Sequence, residues 1–588
     1  MSMKRILSVS LAAAALAACA PTPKAPPAAT TAARPAPAPA APPPPAPADA
    51  FRKSPPPPGP EVVFVPPRIE EAKLANGIRV LVVERHELPI VAVEVTTVRG
   101  ADQADPGVGA FAGAMLTQGT KTRSALAFSD ALGKLGANYA SWVTFDGGGV
   151  QGQSVTPRFG EMLTLLGDAY MNPAFDRTEI ERERSRRITQ LAEMNDRPSS
   201  LLSIAQGMTL YPEGHAYSAP LLGTEAALKK ITPAALAKFH AAQFRPELTT
   251  IAMAGNITRA DAVKEAERVF GAWKGPAGAP TAPPTAELPA TPPALAAGAP
   301  RVVVVDRPGL TQSTVVVTMP GVPRSTKDHD ALLVMNTLLG GQFSSRLNLN
   351  LREKHAYTYG ARSSFDMRHG PGPFSAGGAI VRENTGPAVR EILAEIDRMR
   401  REPVTIEELA DAKANLIRQL PARFETAGAT ASTLASLAVY GLPLDEFATR
   451  PARIQRITPV DVQRVAQQYL LPEQLRVVLV GDAGAIGEQL SALRLGPITV
   501  QKAPGVTSGD AADKLGKGAA GPEAAKPAAA APAQAAKPAA AAPAQAAKPA
   551  TAAPAQGAKP AAAAPAQGAA KPAAPAQPKA PSPATNKP

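Results

Sequence analysis

Cysteine and histidine are both scarce in this sequence. The only cysteine among 588 residues is Cys19. A single cysteine excludes an intramolecular disulfide framework and any zinc or iron–sulfur site built from several thiolates. The chain has six histidines, and no two of them lie within five positions of each other. The sequence does not exclude a metal site assembled from distant parts of the chain. The alternative is that these histidines lie at the surface or are satisfied by hydrogen bonds.

The centre of the chain lacks excess charge and long apolar runs. The formal charge of the whole chain is +13, but residues 1–66 carry six Lys/Arg against two acids and 501–588 carry ten Lys against three acids. The centre therefore has a net charge near +2, which argues against a nucleic-acid-binding fold. After the N-terminus no apolar run reaches 18 residues, so no internal membrane span is predicted.

Proline divides the chain in the same way. Residues 20–66 and 501–588 together hold 34 of the 65 prolines. Such segments cannot bury a core. The 434 residues between 67 and 500 have ordinary globular composition and are long enough for at least two cores.

The N-terminus has the features of a secretory signal. Lys4 and Arg5 precede an apolar run, Ile6–Ala18, that is too short to span a bilayer. The run ends in Leu-Ala-Ala-Cys, which resembles a bacterial lipobox and implies cleavage after residue 18 and a lipid anchor on Cys19. An ordinary signal with a chance cysteine is the alternative. Ala20, where Asp would signal inner-membrane retention, favours the outer membrane. The sequence thus predicts a signal peptide at 1–18 and a periplasmic-side envelope lipoprotein.

Two low-complexity segments flank the centre. Residues 19–66 form a Pro/Ala-rich tether, which we expect to be disordered. Residues 499–588 form a tail with a repeat of 11 residues whose copies begin at Lys526, Lys537, Lys548 and Lys559. A proline every five or six residues forbids a continuous helix. The tail is either a solvated spacer or a weakly basic arm that contacts anionic lipid, lipopolysaccharide or peptidoglycan.

The centre contains a duplication. A helix that begins at Thr232-Pro233 and a buried strand at Thr250–Ala254 recur 226 positions later, at Thr458-Pro459 and Val477–Val480. Threonine as N-cap and proline in the first turn are typical of a helix start. A second helical pair matches at an offset of 229: Glu179–Leu191 with Glu408–Leu420.

The duplication predicts an α+β protein with two tandem homologous half-domains. The first spans 67–275 and the second 300–498, joined by a Pro/Ala/Gly-rich linker at 276–299. Each half begins with two predicted strands. These strands are Ile78–Val83 and Ile90–Val98 in the first half, and Val302–Val305 and Ser313–Thr318 in the second.

The segment Leu74–Thr120 resembles the pitrilysin/insulinase family of zinc metallopeptidases. It contains, in order, Asn-Gly, two paired strands, a glycine, and a helix that precedes Gly-Thr. The resemblance covers nearly all of residues 68–498. It implies that each half is a largely antiparallel sheet covered by helices. It also implies that the two halves form half of a clam-shell chamber.

The family's His-x-x-Glu-His motif is degenerate here. The segment Gly107–Met115 aligns with it, and Ala110, Gly113 and Ala114 stand where the first His, the catalytic Glu and the second His would be. Two imidazoles at i and i+4 can hold one zinc ion, and alanine cannot. Glu183 matches a retained family glutamate, which puts Gln190 at the position of the third ligand. We therefore expect no metal on this chain.

The second half keeps a different family signature. Leu339–Leu347 and Leu351–Gly360 match a segment in which an Arg and a Tyr seven residues apart complete the active site opposite the zinc. These residues are Arg352 and Tyr359. A guanidinium can hold a substrate carbonyl, and a phenol can donate to a developing oxyanion. The alternative is a surface arginine paired with an acid such as Glu353, and a packed tyrosine.

The family's substrate-pairing edge strand corresponds to Trp142–Val150. Three glycines in this region, at 147–149, permit a close backbone approach or mark a bulge or turn. The sequence is compatible with both interpretations.

Three functions are compatible with these features. The first is the non-catalytic subunit of a heterodimeric zinc metalloendopeptidase, with zinc on a homologous partner, peptide or unfolded polypeptide as substrate, and Arg352 and Tyr359 donated in trans. The second is a non-enzymatic peptide- or protein-binding scaffold lipoprotein of the envelope. The third, an independently active protease, would need a metal site that the motif does not provide.

Overall fold

The structure, a computed structural model, describes residues 63–276, 278 and 300–502. The predicted signal peptide, Cys19, most of the tether, nearly all of the linker and nearly all of the tail lie outside the described residues. Within the described ranges, no helix is both long and apolar enough to cross a membrane.

Each half is built on a six-stranded sheet. The strands of the first half are β1 (Glu70–Lys73), β2 (Arg79–Glu84), β3 (Ile90–Thr97), β4 (Asn138–Val143), β5 (Gly148–Val155) and β6 (Thr249–Gly255). Those of the second half are β7 (Val302–Asp306), β8 (Gln312–Pro320), β9 (Thr358–Phe365), β10 (Pro373–Val381), β11 (Arg476–Gly481) and β12 (Ile498–Lys502). The six strands predicted above all lie within or overlap these elements.

The two sheets share one connectivity. Their orders are β1-β2-β6-β3-β5-β4 and β12-β7-β11-β8-β10-β9. In each, a parallel pair (β2 with β6, β7 with β11) is followed by three antiparallel pairings that end at an edge strand, β4 or β9. The outermost strands on the other side differ, since β1 is antiparallel to β2 whereas β12 is parallel to β7. The predicted α+β fold with two tandem half-domains is confirmed.

Helices cover both sheets. Those of the first half are α1 (Val108–Met115), α2 (Ala125–Lys134), α3 (Phe159–Met171), α4 (Arg177–Asp196), α5 (Pro198–Leu210), α6 (Glu225–Lys230), α7 (Pro233–Gln243) and α8 (Arg259–Phe270). Those of the second half are α9 (His329–Asn336), α10 (Arg346–Asn348), α11 (Thr385–Arg401), α12 (Ile406–Arg418), α13 (Ala427–Val439), α14 (Glu446–Arg456), α15 (Pro459–Tyr469) and α16 (Ala483–Ser491).

The repeated Thr-Pro pairs start helices as predicted. The Thr232 hydroxyl caps α7 by accepting from the backbone N–H of Ala235. Thr458 caps α15 in the same way, and Asp461 completes a capping box there. Capping of this kind stabilises a helix by about 1 kcal/mol, because it satisfies backbone donors that have no partner within the helix.

The halves exchange one helix each. Helix α13 of the second half packs on the first sheet, where Leu434 and Ala435 belong to the same hydrophobic core as Leu81 and Ala252. Helix α5 of the first half packs on the second sheet, where Leu201 and Ala205 join a core with valines of β7, β8 and β11. Each sheet therefore buries one face against its own helices and the other face against a helix of the other half. Separation of the two halves would expose this apolar surface to water.

The structure extends both predicted domain boundaries. Phe64, within the predicted tether, packs its ring 6.0 Å from that of Phe424. Strand β12 runs to Lys502, four residues beyond the predicted end at 498, because its backbone pairs with β7. Composition marks where proline becomes frequent, whereas backbone pairing decides where the sheet ends.

Candidate functional site

The degenerate zinc motif lies on helix α1. The helix begins after Gly107, whose left-handed φ of 86° suits glycine. Ala110 and Ala114 share a partly exposed face, and Gly113 is buried. Two methyl groups and a hydrogen atom stand where two imidazoles and a carboxylate would be needed, so these positions can neither bind a metal nor accept a proton.

The space beside Gly113 is filled by the edge strand. A Cβ atom added at Gly113 would lie 2.4 Å from Cγ2 and 3.0 Å from Cβ of Val143, on β4. Non-bonded carbon atoms prefer about 3.5–4.0 Å. A glutamate at this position would therefore require Val143 or its strand to move.

The retained glutamate is neutralised by arginine. Glu183, on α4, is 6% exposed. Its carboxylate accepts from Arg187 Nε at 2.7 Å and from Arg186 Nη2 at 2.6 Å. The Nη2 of Arg187 in turn donates to the carbonyl of Ala110 at 2.8 Å, and its guanidinium lies 5.1 Å from the ring centroid of Phe111. A buried guanidinium thus connects the retained glutamate with the backbone of the first motif position.

This charge arrangement does not fit zinc. Burial alone would raise the pKa of Glu183, but the hydrogen bonds and charges of Arg186 and Arg187 hold that pKa below its ordinary value. A guanidinium beside the motif repels a divalent cation. Gln190, at the predicted third-ligand position, is exposed on α4. The residues at and around the motif therefore do not form a zinc site.

Arg352 and Tyr359 line one groove. The groove has a volume of about 1250 Å³ and lies between helix α5 and the outer strands β8, β10 and β9 of the second sheet. Tyr359, on the edge strand β9, is 90% exposed. Arg352 pairs with Glu353 at 3.3 Å and stacks over the ring of Phe343 at 4.5 Å. The predicted pair is thus brought together on one surface, and the predicted alternative partner Glu353 contacts the arginine.

The backbone around Arg352 is irregular. Thr337–Gly341 and Leu349–Lys354 are π-helical, a conformation found frequently at functional sites. Ala356, which follows the second segment, has a φ of 54° in the left-handed region. For a residue other than glycine this costs about 1–2 kcal/mol, and such strain clusters at ligand-binding positions. Ala356 lies between Arg352 and Tyr359 in sequence.

The glycines after Trp142 serve two purposes. Strand β4 ends at Val143, residues 144–147 turn, and β5 lies inside the sheet rather than at its edge. Gly147, in the turn, approaches Val439 of α13, since an added Cβ would lie 2.9 Å from Val439 Cγ2. At Gly149 an added Cβ would lie 2.0 Å from the carbonyl oxygen of Val95. Both the turn and the close approach are therefore present, and the edge strand on this side of the sheet is β4.

Several groove residues escaped the sequence argument. Helix α5 forms one wall although it belongs to the first half. Its Gln206 donates to Thr318 and Ser375 of the second sheet, both at 2.7 Å. These residues are 112 and 169 positions away from Gln206 in sequence, and no local pattern records such contacts. Phe343 is different, because it lies inside Leu339–Leu347, a segment that matches the family signature and could therefore have indicated this residue.

Comparison with known families agrees with this geometry. The family model "Insulinase (Peptidase family M16)" matches residues 80–225, and "Peptidase M16 inactive domain" matches residues 230–416. An uncharacterised zinc protease of Streptomyces coelicolor is 25% identical over 362 residues, covering 60% of this chain and 76% of that protein. The uncharacterised zinc protease YmxG of Bacillus subtilis is 22% identical over 421 residues, covering 70% of this chain and 97% of that protein.

Solved structures show the same fold. The crystal structure of a peptidase M16 inactive domain from Pseudomonas fluorescens aligns with a TM-score of 0.62 at 25% identity, covering 70% of this chain and 98% of the other. A protease from Helicobacter pylori aligns with a TM-score of 0.63 at 20% identity, covering 70% and 99%. With two consecutive family models, a matching fold and a recognisable but degenerate motif on α1, this chain belongs to the insulinase family of peptidases, family M16.

Proposed function

We propose that this chain is the non-catalytic subunit of a heterodimeric zinc metalloendopeptidase. It encloses a peptide or unfolded polypeptide with a zinc-bearing homologue, as half of a clam-shell chamber, and donates Arg352 and Tyr359 to the partner's active site. One observation carries the proposal. Both residues lie on a single open groove, whereas the motif of the same chain is filled by Val143 and neutralised by Arg187.

The exposed pair suits a site completed by a second chain. A tyrosine that is 90% exposed contributes little to the stability of its own fold. Its phenol is free to donate to an oxyanion held by another subunit. Arg352, 38% exposed in its side chain, can exchange Glu353 for a peptide carbonyl at little cost, because exposed ion pairs contribute about 0–1 kcal/mol.

The proposed location depends on sequence alone. The signal at 1–18 and Cys19 support a lipid-anchored protein on the periplasmic side of the bacterial envelope, with the outer membrane favoured by Ala20. Zinc is expected on the partner subunit.

A scaffold lipoprotein that binds peptide or protein without catalysis is the second candidate. The observation in its favour is that Arg352 is already paired with Glu353 and stacked on Phe343 within the chain. In that case Arg352 would be a surface residue, and binding would involve the groove without chemistry.

Peptidase assays of the purified chain, alone and mixed with a zinc-motif homologue from the same cell, separate the candidates. We expect activity in the mixture alone. Arg352→Ala and Tyr359→Phe should each lower kcat by about 10²-fold or more, as for a lost oxyanion donor. Peptidase activity of the chain alone would contradict the proposal. So would mixtures in which both variants are as active as the wild type.

Two matched controls exist in the chain. Arg382 pairs with its neighbour Glu383 at 2.8 Å, as Arg352 does with Glu353, but it lies outside the groove. Tyr357 lies two residues before Tyr359 and stacks on His355 instead of facing solvent. Arg382→Ala and Tyr357→Phe should therefore leave the activity of the mixture within about twofold, which is close to the usual ±0.5 kcal/mol of neutral surface changes.

A further inference from the structure

Three ligand-type side chains meet between the halves, beside the turn that follows Val143 and outside the groove of Arg352 and Tyr359. The carboxylates of Asp102 and Asp146 and the imidazole of His369 place one oxygen or nitrogen atom each within 4.8 Å of one another. The aspartates belong to the first half, and His369 lies in the loop between β9 and β10 of the second half. No local sequence pattern predicts this cluster, since 223 positions separate Asp146 from His369.

The imidazole has a defined orientation. Its Nε2 lies 2.8 Å from the carbonyl oxygen of Val439. A carbonyl can only accept, so Nε2 carries the hydrogen, and in the neutral ring Nδ1 is left with a lone pair. Nδ1 faces Oδ1 of Asp146 at 3.7 Å, which is too long for a hydrogen bond. The Nδ1 lone pair and the Asp146 carboxylate therefore face the same space, where a metal ion can lie between them.

Asp102 supplies the second, independent observation. The residue is 9% exposed, and neither of its buried carboxylate oxygens makes a hydrogen bond of ordinary geometry among the described residues. Burial raises the pKa of Asp102, and the neighbouring Gln103 side chain offsets only part of that effect. An unpaired buried carboxylate costs several kcal/mol unless a cation compensates it. The oxygens lie within the same cluster as Asp146 and His369.

Hydrogen bonds to the backbone and to Tyr440 hold the members of the cluster near one another. The backbone N–H of Asp102 donates to the carbonyl of Phe145 at 3.2 Å, which fixes Asp102 beside Asp146. Asp146 Oδ1 accepts from the backbone N–H of His369 at 3.0 Å, and its Oδ2 accepts from the hydroxyl of Tyr440 at 2.9 Å. Such outer partners orient metal ligands and are typical of protein metal sites.

We propose that Asp102, Asp146 and His369 bind a divalent transition-metal ion, with Zn²⁺ as the best fit, and that the ion ties the first half to the second. One imidazole with two carboxylates and an open position for water suits zinc, whereas calcium and magnesium prefer oxygen ligands alone. Tetrahedral zinc needs ligand atoms about 3.0–3.5 Å apart, so atoms that now lie up to 4.8 Å apart would move closer by up to about 1.3–1.8 Å through side-chain rotation. The His369 side chain, 32% exposed, offers the route of entry.

A zinc titration of the untagged, metal-stripped full chain tests the proposal without any partner. Calorimetry and metal analysis should show one Zn²⁺ per chain, no binding of Ca²⁺ or Mg²⁺ at the same concentration, and a higher Tm with zinc. Zinc should also slow hydrogen exchange in both 144–147 and 366–372. Absence of zinc binding would overturn the proposal and leave a proton as the compensating cation, since burial raises the pKa of Asp102.

Two variants and one control locate the ion. Asp102→Asn replaces a carboxylate ligand with an uncharged amide of the same size, and His369→Gln removes Nδ1 while keeping a donor for Val439. Each should weaken zinc binding by more than about 10-fold and abolish the zinc-dependent shift in Tm. Glu94→Gln changes another buried carboxylate that contacts the second half, through Ser432, and should bind zinc like the wild type. Unchanged binding in both ligand variants, or exchange slowed in neither segment, would refute the proposed tie. Neither result bears on Arg352 and Tyr359, so the subunit proposal is tested separately.

Discussion

The two halves share a sheet order and a helix exchange, yet the space beside their outer strands differs. In the second half, the groove between α5 and β8–β10 has a volume of about 1250 Å³. In the first half, the space between α13 and β3–β5 has a volume of about 260 Å³. A duplicated fold can therefore close one copy of a site and leave the other open.

A single pair of positions explains part of this difference. Glu94 of β3 lies opposite Ala252 in the first sheet and accepts from Ser432 of α13 at 2.7 Å, which ties the helix to the strand. Val316 lies opposite Val478, the counterpart of Ala252 at the offset of 226. A valine cannot accept a hydrogen bond, so α5 is held to its sheet through Gln206 and apolar contacts instead.

The largest expected effect tests whether an ion pair stabilises the closed half. Arg187→Met leaves Glu183 buried with one exposed partner, Arg186, and removes the side-chain donor to the Ala110 carbonyl. Because Arg186 still pairs with Glu183, we expect the free energy of unfolding to fall by about 3 kcal/mol in denaturant titrations, the lower end of the cost of breaking a buried ion pair. Arg186→Met is the matched control, because Arg186 is 59% exposed in its side chain, and should cost about 0–1 kcal/mol. Equal losses in both variants would show that the burial of Arg187 is unimportant.

The second prediction concerns acid. Burial lowers the pKa of His240 to about 4, while its Nε2 donates to the Tyr170 carbonyl. Between pH 6.5 and pH 4 the unfolded chain binds a proton that the folded chain does not. The free energy of unfolding should therefore fall by about 3 kcal/mol over this window as the pH decreases.

Both tryptophans, Trp142 and Trp273, lie in the first half, so their fluorescence reports on that half during acid titration. His240→Gln should flatten the pH dependence, since glutamine does not titrate. His86→Gln serves as the control, because His86 is exposed and its pKa is raised by a hydrogen bond to Asn256. An unchanged pH profile in His240→Gln would assign acid sensitivity to another group.

The smallest expected effect tests whether Val143 occupies the space beside Gly113 on helix α1. Gly113→Ala places a methyl group against Val143 and should cost about 1–3 kcal/mol by overpacking. Val143→Ala in the same chain should remove most of that additional cost. Gly133→Ala, on α2, meets no atom within 4 Å and should raise stability by up to about 1 kcal/mol. Thermal unfolding compares the stability of the variants. If Gly113→Ala leaves the stability unchanged, strand β4 moves away from the added methyl group at little cost.

Much of the fold could be predicted from local patterns. The Thr-Pro helix starts, the apolar run at Ile90–Val98 and the repeat offsets predict β3, α7, α15 and the duplication, because caps and periodicity act within a few residues. The exchange of α5 and α13 could not be predicted in this way. It depends on apolar faces that lack a partner within their own half, and the sequence does not name the surface that covers them.

The candidate site divides in the same manner. The loss of His and Glu from α1 and the spacing of Arg352 and Tyr359 are visible in the sequence, and the structure adds that the pair shares an open groove. The neutralisation of Glu183 by Arg187 is also a local i, i+4 contact, yet its extension to the carbonyl of Ala110 spans 77 positions. Contacts over such distances follow from packing.

The sequence by itself determined that the motif positions on α1 cannot bind zinc, because methyl groups and a hydrogen atom offer no ligand atom in any conformation. It also determined that two similar halves would form, since the same apolar periodicity occurs twice. The tertiary structure alone decided that Val143 fills the space at Gly113, that the second groove stays open, and that Asp102 meets His369. These outcomes depend on which distant surfaces bury each other, and burial is a property of the whole packed core rather than of any segment.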